Sequence, residues 1–185
     1  MTTALVCVAD GSEEMEVVIS VDVLRRAGID VTLASVPTEQ RAIVASRKVS
    51  LLADDTIGNC VNRDWDLVVL PGGMPGAENL AACEELQSLL VHQLASNKWL
   101  AAICAAPAVV LGRKNLLSGY RATCFPSFQQ ELAHQVRELS TERVVVDKNL
   151  VTSQGPGTAF EFALTLVELL LGTATRQALA DAMVL

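Results

Sequence analysis

The stretch Trp99-Leu-Ala-Ala-Ile103-Cys104-Ala-Ala-Pro107-Ala-Val-Val-Leu111 passes from an apolar run straight into a helical pattern, with no turn residues between them. The run before Cys104 predicts a strand buried on both faces, as parallel strands of α/β proteins are. The residues after it predict a short helix closed by Gly112, with Pro107 in the first turn, where a missing N–H costs least. The stretch therefore predicts a sharp strand-to-helix elbow with an exposed Cys104 at its tip.

Short β-branched runs alternate with helical patterns along the rest of the chain, which is typical of a mostly parallel sheet with helices on both faces. The predicted strands cover residues 5–9, 30–36, 66–70, 99–103, 121–124, 143–147 and 150–153. The predicted helices cover residues 12–27 with Ser12 as the cap and Gly28 after the end, then 84–97, 105–111, 158–171 and 173–185. Residues 41–52 predict a hairpin outside the central sheet, which would act as a flap or an interface. With no repeat and no linker, we expect one domain over residues 1–185.

Composition excludes several classes of protein. Of the 185 residues 51% are hydrophobic but only 4% are aromatic, so the core must be aliphatic. The net charge of -7 argues against a nucleic-acid partner, which would need clustered Lys and Arg. The first residues do not resemble a signal peptide and no apolar run reaches the length of a membrane span, so we expect a cytoplasmic protein without a membrane partner. The five cysteines lack C-x-x-C or metal-type spacing, which predicts reduced thiols and no metal site.

Three loops of unusual composition follow predicted strands, at residues 10–12, 71–73 and 104–107. In open α/β sheets ligands bind beyond the carboxyl ends of the strands, so we expect the site there. The helix start after Cys104 would direct N–H groups at the sulfur and lower the pKa of its thiol. The alternative is that Cys104 is a small buried core residue.

Glu16 lies about one turn into the first helix, whose start faces the same sheet edge as Cys104. Spacing alone does not single it out, and for Glu13 and Glu14 complementation of the helix dipole is the simpler interpretation. Gly72 and Gly73 form either a simple turn or a backbone that approaches an oxyanion. His92 and His134 fall in polar stretches away from these loops, so a Cys–His pair for acyl transfer has no base here.

Five motifs resemble the ThiJ/PfpI superfamily, in its order and spacing over nearly the whole chain, and within it the branch of the parkinsonism-associated deglycase and bacterial YajL. They are Gly11-Ser-Glu-Glu-Met-Glu16, Val21-Asp-Val-Leu-Arg-Arg-Ala-Gly28, Val69-Leu-Pro-Gly-Gly73, Ala101-Ala-Ile-Cys-Ala-Ala-Pro107 and Thr152-Ser-Gln-Gly-Pro-Gly-Thr158. The resemblance implies a flavodoxin-like three-layer sandwich and a homodimer. It also implies that no cofactor is needed.

The resemblance assigns roles to single residues. It implies Cys104 as the oxidisable nucleophile, Glu16 as its carboxyl partner, and the N–H groups of Gly73 and Ala105 as an oxyanion hole. Arg47, in Ala45-Ser-Arg47, matches a family arginine close to the site and the dimer contact.

Two departures from the family pattern refine these implications. Phe125-Pro126 stands where the parkinsonism-associated protein has a histidine before proline, which favours the bacterial branch and makes the wall of the pocket more apolar. Ala105 stands where protease-like members have a histidine, so peptidase activity is not expected. Glutamine amidotransfer is not expected either, because its His and Glu pair has no match near the C-terminus.

Two functions fit these residues. In the first, Cys104 and Glu16 convert 2-oxoaldehydes such as methylglyoxal to 2-hydroxy acids, or reverse their early adducts on thiols and amines. In the second, the protein is a redox-responsive chaperone of unfolded proteins, and peroxide oxidises Cys104 to a sulfinic acid stabilised by Glu16. The same two residues serve both functions, and only turnover separates them.

Overall fold

The computed structural model describes residues 1–36 and 40–185. The strands, in chain order, are β1 Thr3–Ala9, β2 Asp30–Val36, β3 Ala42–Val44, β4 Ser50–Leu52, β5 Asp55–Thr56, β6 Leu67–Leu70, β7 Trp99–Ile103, β8 Arg121–Ala122, β9 Glu138–Leu139, β10 Val144–Asp147 and β11 Leu150–Ser153. The α-helices are α1 Glu14–Arg26, α2 Ile57–Cys60, α3 Gly76–Ala82, α4 Glu84–Ala95, α5 Gln129–Leu132, α6 Ala159–Leu171 and α7 Thr173–Ala182. One π-helical turn covers Pro107–Leu111, and 3₁₀ turns cover Gly112–Lys114, Pro126–Phe128 and Pro156–Thr158.

The central sheet has seven strands in the order β10-β11-β7-β6-β1-β2-β5. Every neighbouring pair is parallel except β10 and β11, which are antiparallel. From β1 the chain adds β2 and β5 on one side and then β6, β7 and β11 on the other. The strand order therefore reverses between β1 and β6, and the loops that follow these two strands border the crevice where α/β proteins bind ligands.

Helices cover both faces of this sheet, which gives three layers and confirms the expected α/β sandwich. One face packs against α1, α6 and α7, and the other against α2, α3, α4 and the Pro107–Leu111 turn. Trp65 and Phe162 are the largest fully buried side chains, and most of the rest are Leu, Ile, Val and Ala. Burial of one side chain such as Phe162 contributes roughly 1.5–3 kcal/mol.

The first helix begins one residue later than its sequence predicts. Glu13, not Ser12, caps α1, because its carboxylate accepts the Glu16 N–H at 2.9 Å. The Ser12 hydroxyl turns back instead and accepts the Ala9 N–H at 3.0 Å. The predicted end is confirmed, since Gly28 has φ +81° directly after the helix.

The structure corrects the expected elements on either side of the elbow. Gly112 does not close the helix after Cys104, because it has right-handed angles and the chain continues to Lys114. Asn115, with φ +58°, ends this segment. The strand expected at residues 121–124 stops at Ala122 and pairs with β9 in a separate small sheet.

The hairpin expected within residues 41–52 is confirmed. Strands β3 and β4 pair antiparallel, with Ala42 opposite Leu52, and stand apart from the central sheet. The structure adds five short elements that the sequence pattern did not reveal, namely β5, β9, α2, α3 and α5. In the described parts of the chain no helix has both the length and the apolar character needed to cross a membrane.

Candidate active site

Cys104 occupies a strained backbone position at the end of β7. Its φ of +65° is left-handed, which costs a residue other than glycine about 1–3 kcal/mol. Two hydrogen bonds hold it there: the Cys104 N–H donates to the Ser153 carbonyl at 3.0 Å, and the Phe125 N–H donates to the Cys104 carbonyl at 2.8 Å. The elbow is therefore confirmed, but its tip is not open, because the cysteine is only 8% exposed.

The carboxyl of Glu16 lies beside this thiol. Glu16 is fully buried, and its Oε2 accepts the Gly72 N–H at 2.7 Å. Its Oε1 has no nitrogen or oxygen partner among residues 1–36 and 40–185, and the Cys104 thiol is the side chain that interacts with the carboxyl. The structure thus brings together the two residues that the sequence analysis paired.

Two backbone N–H groups lie beside the sulfur. Those of Gly73 and Ala105 act to lower the pKa of the Cys104 thiol, which is the effect expected of donors next to the sulfur. A β-carbon added to Gly72 would come within 2.5 Å of Cys104 Cβ. Gly73 has φ +83°, and a β-carbon there would come within 2.5 Å of the Glu13 nitrogen. Both positions therefore need glycine for the loop after β6 to approach the cysteine.

The titration of Glu16 is shifted toward neutral pH. Burial raises its pKa from 4.5 to about 7, against the lowering effect of the hydrogen bonds from Gly72 and Cys104. A carboxyl with such a pKa can both accept and donate a proton near neutrality.

The sequence predicted a lowered pKa for the Cys104 thiol, and this is wrong, because the pKa is raised. Burial and then the Glu16 charge raise the pKa of this thiol to about 12, although the Gly73 and Ala105 N–H groups act to lower it. The reason is that two adjacent buried groups cannot both carry a negative charge cheaply. The resting site therefore holds at most one negative charge, and a thiolate forms when the proton moves to Glu16.

Three other residues expected to line the pocket are exposed at the surface. Phe125 and Pro126 are exposed, and Phe125 touches the elbow through its backbone N–H. Arg47 is also exposed, and its recorded hydrogen bond runs from its backbone N–H to Glu14 rather than from its guanidinium. Cys124 packs in the core on the other face of the sheet, away from the cluster that contains Cys104.

Glu14 has a specific contact that the sequence analysis missed. Its carboxylate is 8% exposed and accepts hydrogen bonds from the Ser46 hydroxyl and the Arg47 N–H, both at 2.8 Å. The sequence of the first turn of α1 could not distinguish Glu14 from Glu13. The partners of Glu14 lie 32 and 33 residues further along the chain.

The two histidines are exposed and distant in sequence from every loop of the site, as expected. Among residues 1–36 and 40–185, no group of three or more His, Cys, Asp or Glu side chains could hold a metal ion.

Comparison with known proteins places these features in a wider group. Residues 2–169 match the sequence profile described as the DJ-1/PfpI family. Protein DJ-1 homolog B of Arabidopsis thaliana is 48% identical over 164 residues, which cover 89% of this chain but 37% of that protein. The chain spans less than half the length of the two Arabidopsis relatives that it matches, 37% and 43%.

Two further relatives bear on fold and activity. A Caenorhabditis elegans protein named as a glutathione-independent glyoxalase is 34% identical over 163 residues, covering 88% of this chain and 85% of that protein. The solved structure of oxidised Toxoplasma gondii DJ-1 superposes with a TM-score of 0.94 at 39% identity, covering 100% of this chain and 98% of that one. The fold is thus the flavodoxin-like α/β sandwich of that structure.

Proposed function

The chain belongs to the DJ-1/PfpI family, and on that premise we propose that it protects against reactive 2-oxoaldehydes by converting them, without a cofactor, to 2-hydroxy acids. Methylglyoxal is the simplest such substrate, and its early adducts on thiols and amines are a second class. The observation that carries the proposal is the pairing of a buried Glu16 carboxyl with the Cys104 thiol, with two backbone N–H groups beside the sulfur. The glyoxalase name of the worm relative agrees with it.

The first step forms a bond between Cys104 Sγ and the aldehyde carbon. The thiol proton passes to the Glu16 carboxylate, so the total charge of the pair is conserved. The aldehyde oxygen gains the negative charge and meets the N–H groups of Gly73 and Ala105, which stabilise it until Glu16 gives the thiol proton to it. The product of this step is a hemithioacetal.

The second step moves hydrogen between adjacent carbons. Glu16, again a carboxylate, removes the proton from the former aldehyde carbon and returns it to the neighbouring carbon through an enediol, while the hydroxyl proton of the hemithioacetal passes to the former ketone oxygen. The first carbon is oxidised to a thioester while the second is reduced from ketone to alcohol, so no external oxidant or reductant is needed. Water then hydrolyses the thioester, which releases the 2-hydroxy acid and restores the Cys104 thiol.

Lactate production from methylglyoxal tests this proposal. Wild type and Cys104→Ala are compared at equal concentration in a buffer without Tris or added thiols, because both compounds react with the substrate. We expect many turnovers from wild type and none from the variant, which should remain folded. Less than one equivalent of lactate from wild type, or equal rates from both proteins, contradicts the assignment.

A second function is favoured by the buried carboxyl next to the sulfur: a redox-responsive chaperone of unfolded proteins. Peroxide would oxidise the Cys104 sulfur first to a sulfenic and then to a sulfinic acid, with water as the reduced product each time. Protonated Glu16 would donate a hydrogen bond to the sulfinate. The related Toxoplasma structure, described as oxidised, supports oxidation chemistry in the family.

Mass spectrometry after graded peroxide treatment tests this second function. We expect the Cys104 peptide of wild type to stop at the sulfinic acid, whereas Glu16→Gln should give a mixture that extends to sulfonic acid. The amide cannot change its protonation to match the charge of the sulfur. Identical products from the two proteins would rule out control of oxidation by the carboxyl.

We also propose that the protein is a homodimer whose contact includes the outer face of α1 and the β3–β4 hairpin. This surface carries several large apolar side chains that are about half exposed: Met15, Val18, Val44, Val49 and Leu52. Leu51 and α1 border one groove, which makes the two elements parts of one surface. Exposed apolar surface of this kind marks interaction sites.

A further inference from the structure

Glu14 is nearly buried, yet it does not face Cys104. Burial alone would raise the pKa of this carboxyl, but hydrogen bonds from its own backbone, Ser46 and Arg47 keep it below the usual range. An ionised side chain is retained in such a place only when its acceptors are satisfied. The cap of α1 is already supplied by Glu13, so capping does not explain the position of Glu14.

The partners of Glu14 belong to the turn between β3 and β4. This turn is tied to the loop after β1 by further bonds: the Ser46 N–H donates to the Ser12 carbonyl at 2.9 Å, and the Gly11 N–H donates to the Val44 carbonyl at 2.9 Å. The hairpin turn and residues 11–14 are therefore connected by backbone hydrogen bonds and by the two hydrogen bonds that the Glu14 carboxylate accepts.

The same loop supports the backbone that approaches the thiol. The Glu13 N–H donates to the Gly72 carbonyl at 3.0 Å. A β-carbon on Gly73 would come within 2.5 Å of both the Glu13 nitrogen and the Gly11 oxygen, which shows that the two loops are in direct contact. Residues 11–14 thus lie between the hairpin turn on one side and the Gly72–Gly73 backbone on the other.

We propose that Glu14 is a positioning residue of the site: its carboxylate fixes the hairpin turn against residues 11–14, and these hold Gly72 and Gly73 at their distance from Cys104. Without the hydrogen bonds between Glu14 and the hairpin turn, the loop after β1 is no longer held on the side that faces the hairpin. The Gly73 N–H then departs from the sulfur and from the place where the oxyanion develops. Only the turnover part of the test rests on the proposed function.

The test compares Glu14→Ala with Glu14→Gln. Alanine removes both acceptors, whereas the glutamine amide can accept from the Arg47 N–H and donate to the Ser46 hydroxyl. We expect Glu14→Ala to lower kcat for methylglyoxal about tenfold or more, with KM within about twofold, because the displaced donor acts on the transition state. Glu14→Gln should stay within about twofold of wild type in both.

A second readout does not depend on turnover. The rate of Cys104 alkylation by iodoacetamide is measured at pH 8, with the Cys104 peptide quantified by mass spectrometry. The rate should fall about threefold in Glu14→Ala, because the Gly73 N–H favours the thiolate. If wild type proves to lack glyoxalase turnover but this rate falls, the proposed function fails and the positioning role stands.

The matched control is Asp54→Ala, which removes a carboxylate that accepts the Leu33 N–H at 2.9 Å and pairs with Arg25, just after β4. It should destabilise the protein by a similar amount while leaving the alkylation rate of Cys104 unchanged. A folded Glu14→Ala with wild-type kcat and alkylation rate overturns the proposal. Should Glu14→Ala not fold, Ser46→Ala removes one of the two hydrogen bonds to Glu14, and an unchanged alkylation rate there overturns it equally.

Discussion

Three glutamates within four residues of each other take three separate roles at the start of α1. Glu13 caps the helix, Glu14 holds the hairpin turn, and Glu16 faces the thiol. Glu13 precedes the helix as its cap, whereas Glu14 and Glu16 lie two residues apart within it and therefore point in different directions from the axis. Their chemical identity is the same, so burial and partners alone separate a structural acid from the proposed acid–base group.

The raised pKa of Glu16 links the stability of the fold to pH. Since the folded state binds this proton more tightly than the unfolded chain, the stabilisation is full below about pH 4.5 and is lost as pH rises through about 7. The loss from this one group is roughly 3 kcal/mol, for a shift of about 2.5 pKa units at about 1.36 kcal/mol per unit. Denaturant unfolding of wild type and Glu16→Gln between pH 4.5 and 8 measures it.

The difference in unfolding free energy between these two proteins should shift in favour of Glu16→Gln as pH rises, because glutamine does not titrate. Subtracting the two curves removes the contribution of the other carboxyls. A difference that stays constant from pH 4.5 to 8 would mean that Glu16 titrates in the fold as it does in the unfolded chain.

At the scale of elements, the sequence predicted what continuous apolar runs encode. The bounds of β2, β7 and β11 agree with the expected strands, because each is buried enough for its pattern to be unambiguous. The strand expected at residues 121–124 was wrong beyond Ala122, because the backbone donors that follow Ala122 are used elsewhere. The Thr123 N–H donates to the Thr152 hydroxyl and the Phe125 N–H to the Cys104 carbonyl, so a ladder cannot continue.

In the proposed site, too, neighbouring residues predict some features, whereas others depend on contacts between residues far apart in the sequence. The elbow at Cys104 and the glycines after β6 follow from local sequence, and the family motifs point to Glu16. The role proposed for Glu14 depends on a contact with a hairpin more than 30 residues away. The pKa of Cys104 depends on burial, which is a property of the assembled layers.

The loop after β6 lies so close to Cys104 that adding one methyl group at Gly72 should have a large effect. In Gly72→Ala the new β-carbon meets Cys104 Cβ, and the elbow or the loop must shift. We expect turnover to fall about 100-fold, as for a displacement of about 1 Å at a reacting centre. Unfolding free energy should fall by about 1–3 kcal/mol.

Gly119→Ala is the control for this change. A β-carbon there would meet only the flexible end of Lys148, at 3.6 Å. Its stability should remain within about 0.5 kcal/mol of wild type and its turnover should not change. Equal activity of the two alanine variants would show that the loop after β6 need not contact the cysteine so closely.

At the scale of the whole molecule, the two helical layers differ in what they expose. Val18 on α1 is 49% exposed in a surface with other large apolar groups, and Val91 on α4 is 52% exposed in the opposite layer. If the first surface forms the proposed dimer, Val18→Asp should give a monomer and Val91→Asp should not. Light scattering after size exclusion, over a range of concentrations, distinguishes the two.

Neither substitution should alter the fold, because both side chains are half exposed and polar replacements at such positions cost little. Far-UV circular dichroism checks this. A monomeric wild type, or a Val18→Asp protein that stays dimeric, would exclude this face as the contact.

The sheet has edges that differ sharply in length and cover. One edge is β5, whose two residues are too few to template another strand. At the other edge the segment that ends in β8 lies against β10, with the Arg121 N–H bonded to the Asp147 carboxylate. Neither edge therefore offers a long ladder of free backbone groups to a second molecule. The central sheet should therefore resist fibre growth and edge-to-edge precipitation even when the protein is concentrated, and ordered assembly should use other surfaces, such as the outer face of α1 and the β3–β4 hairpin.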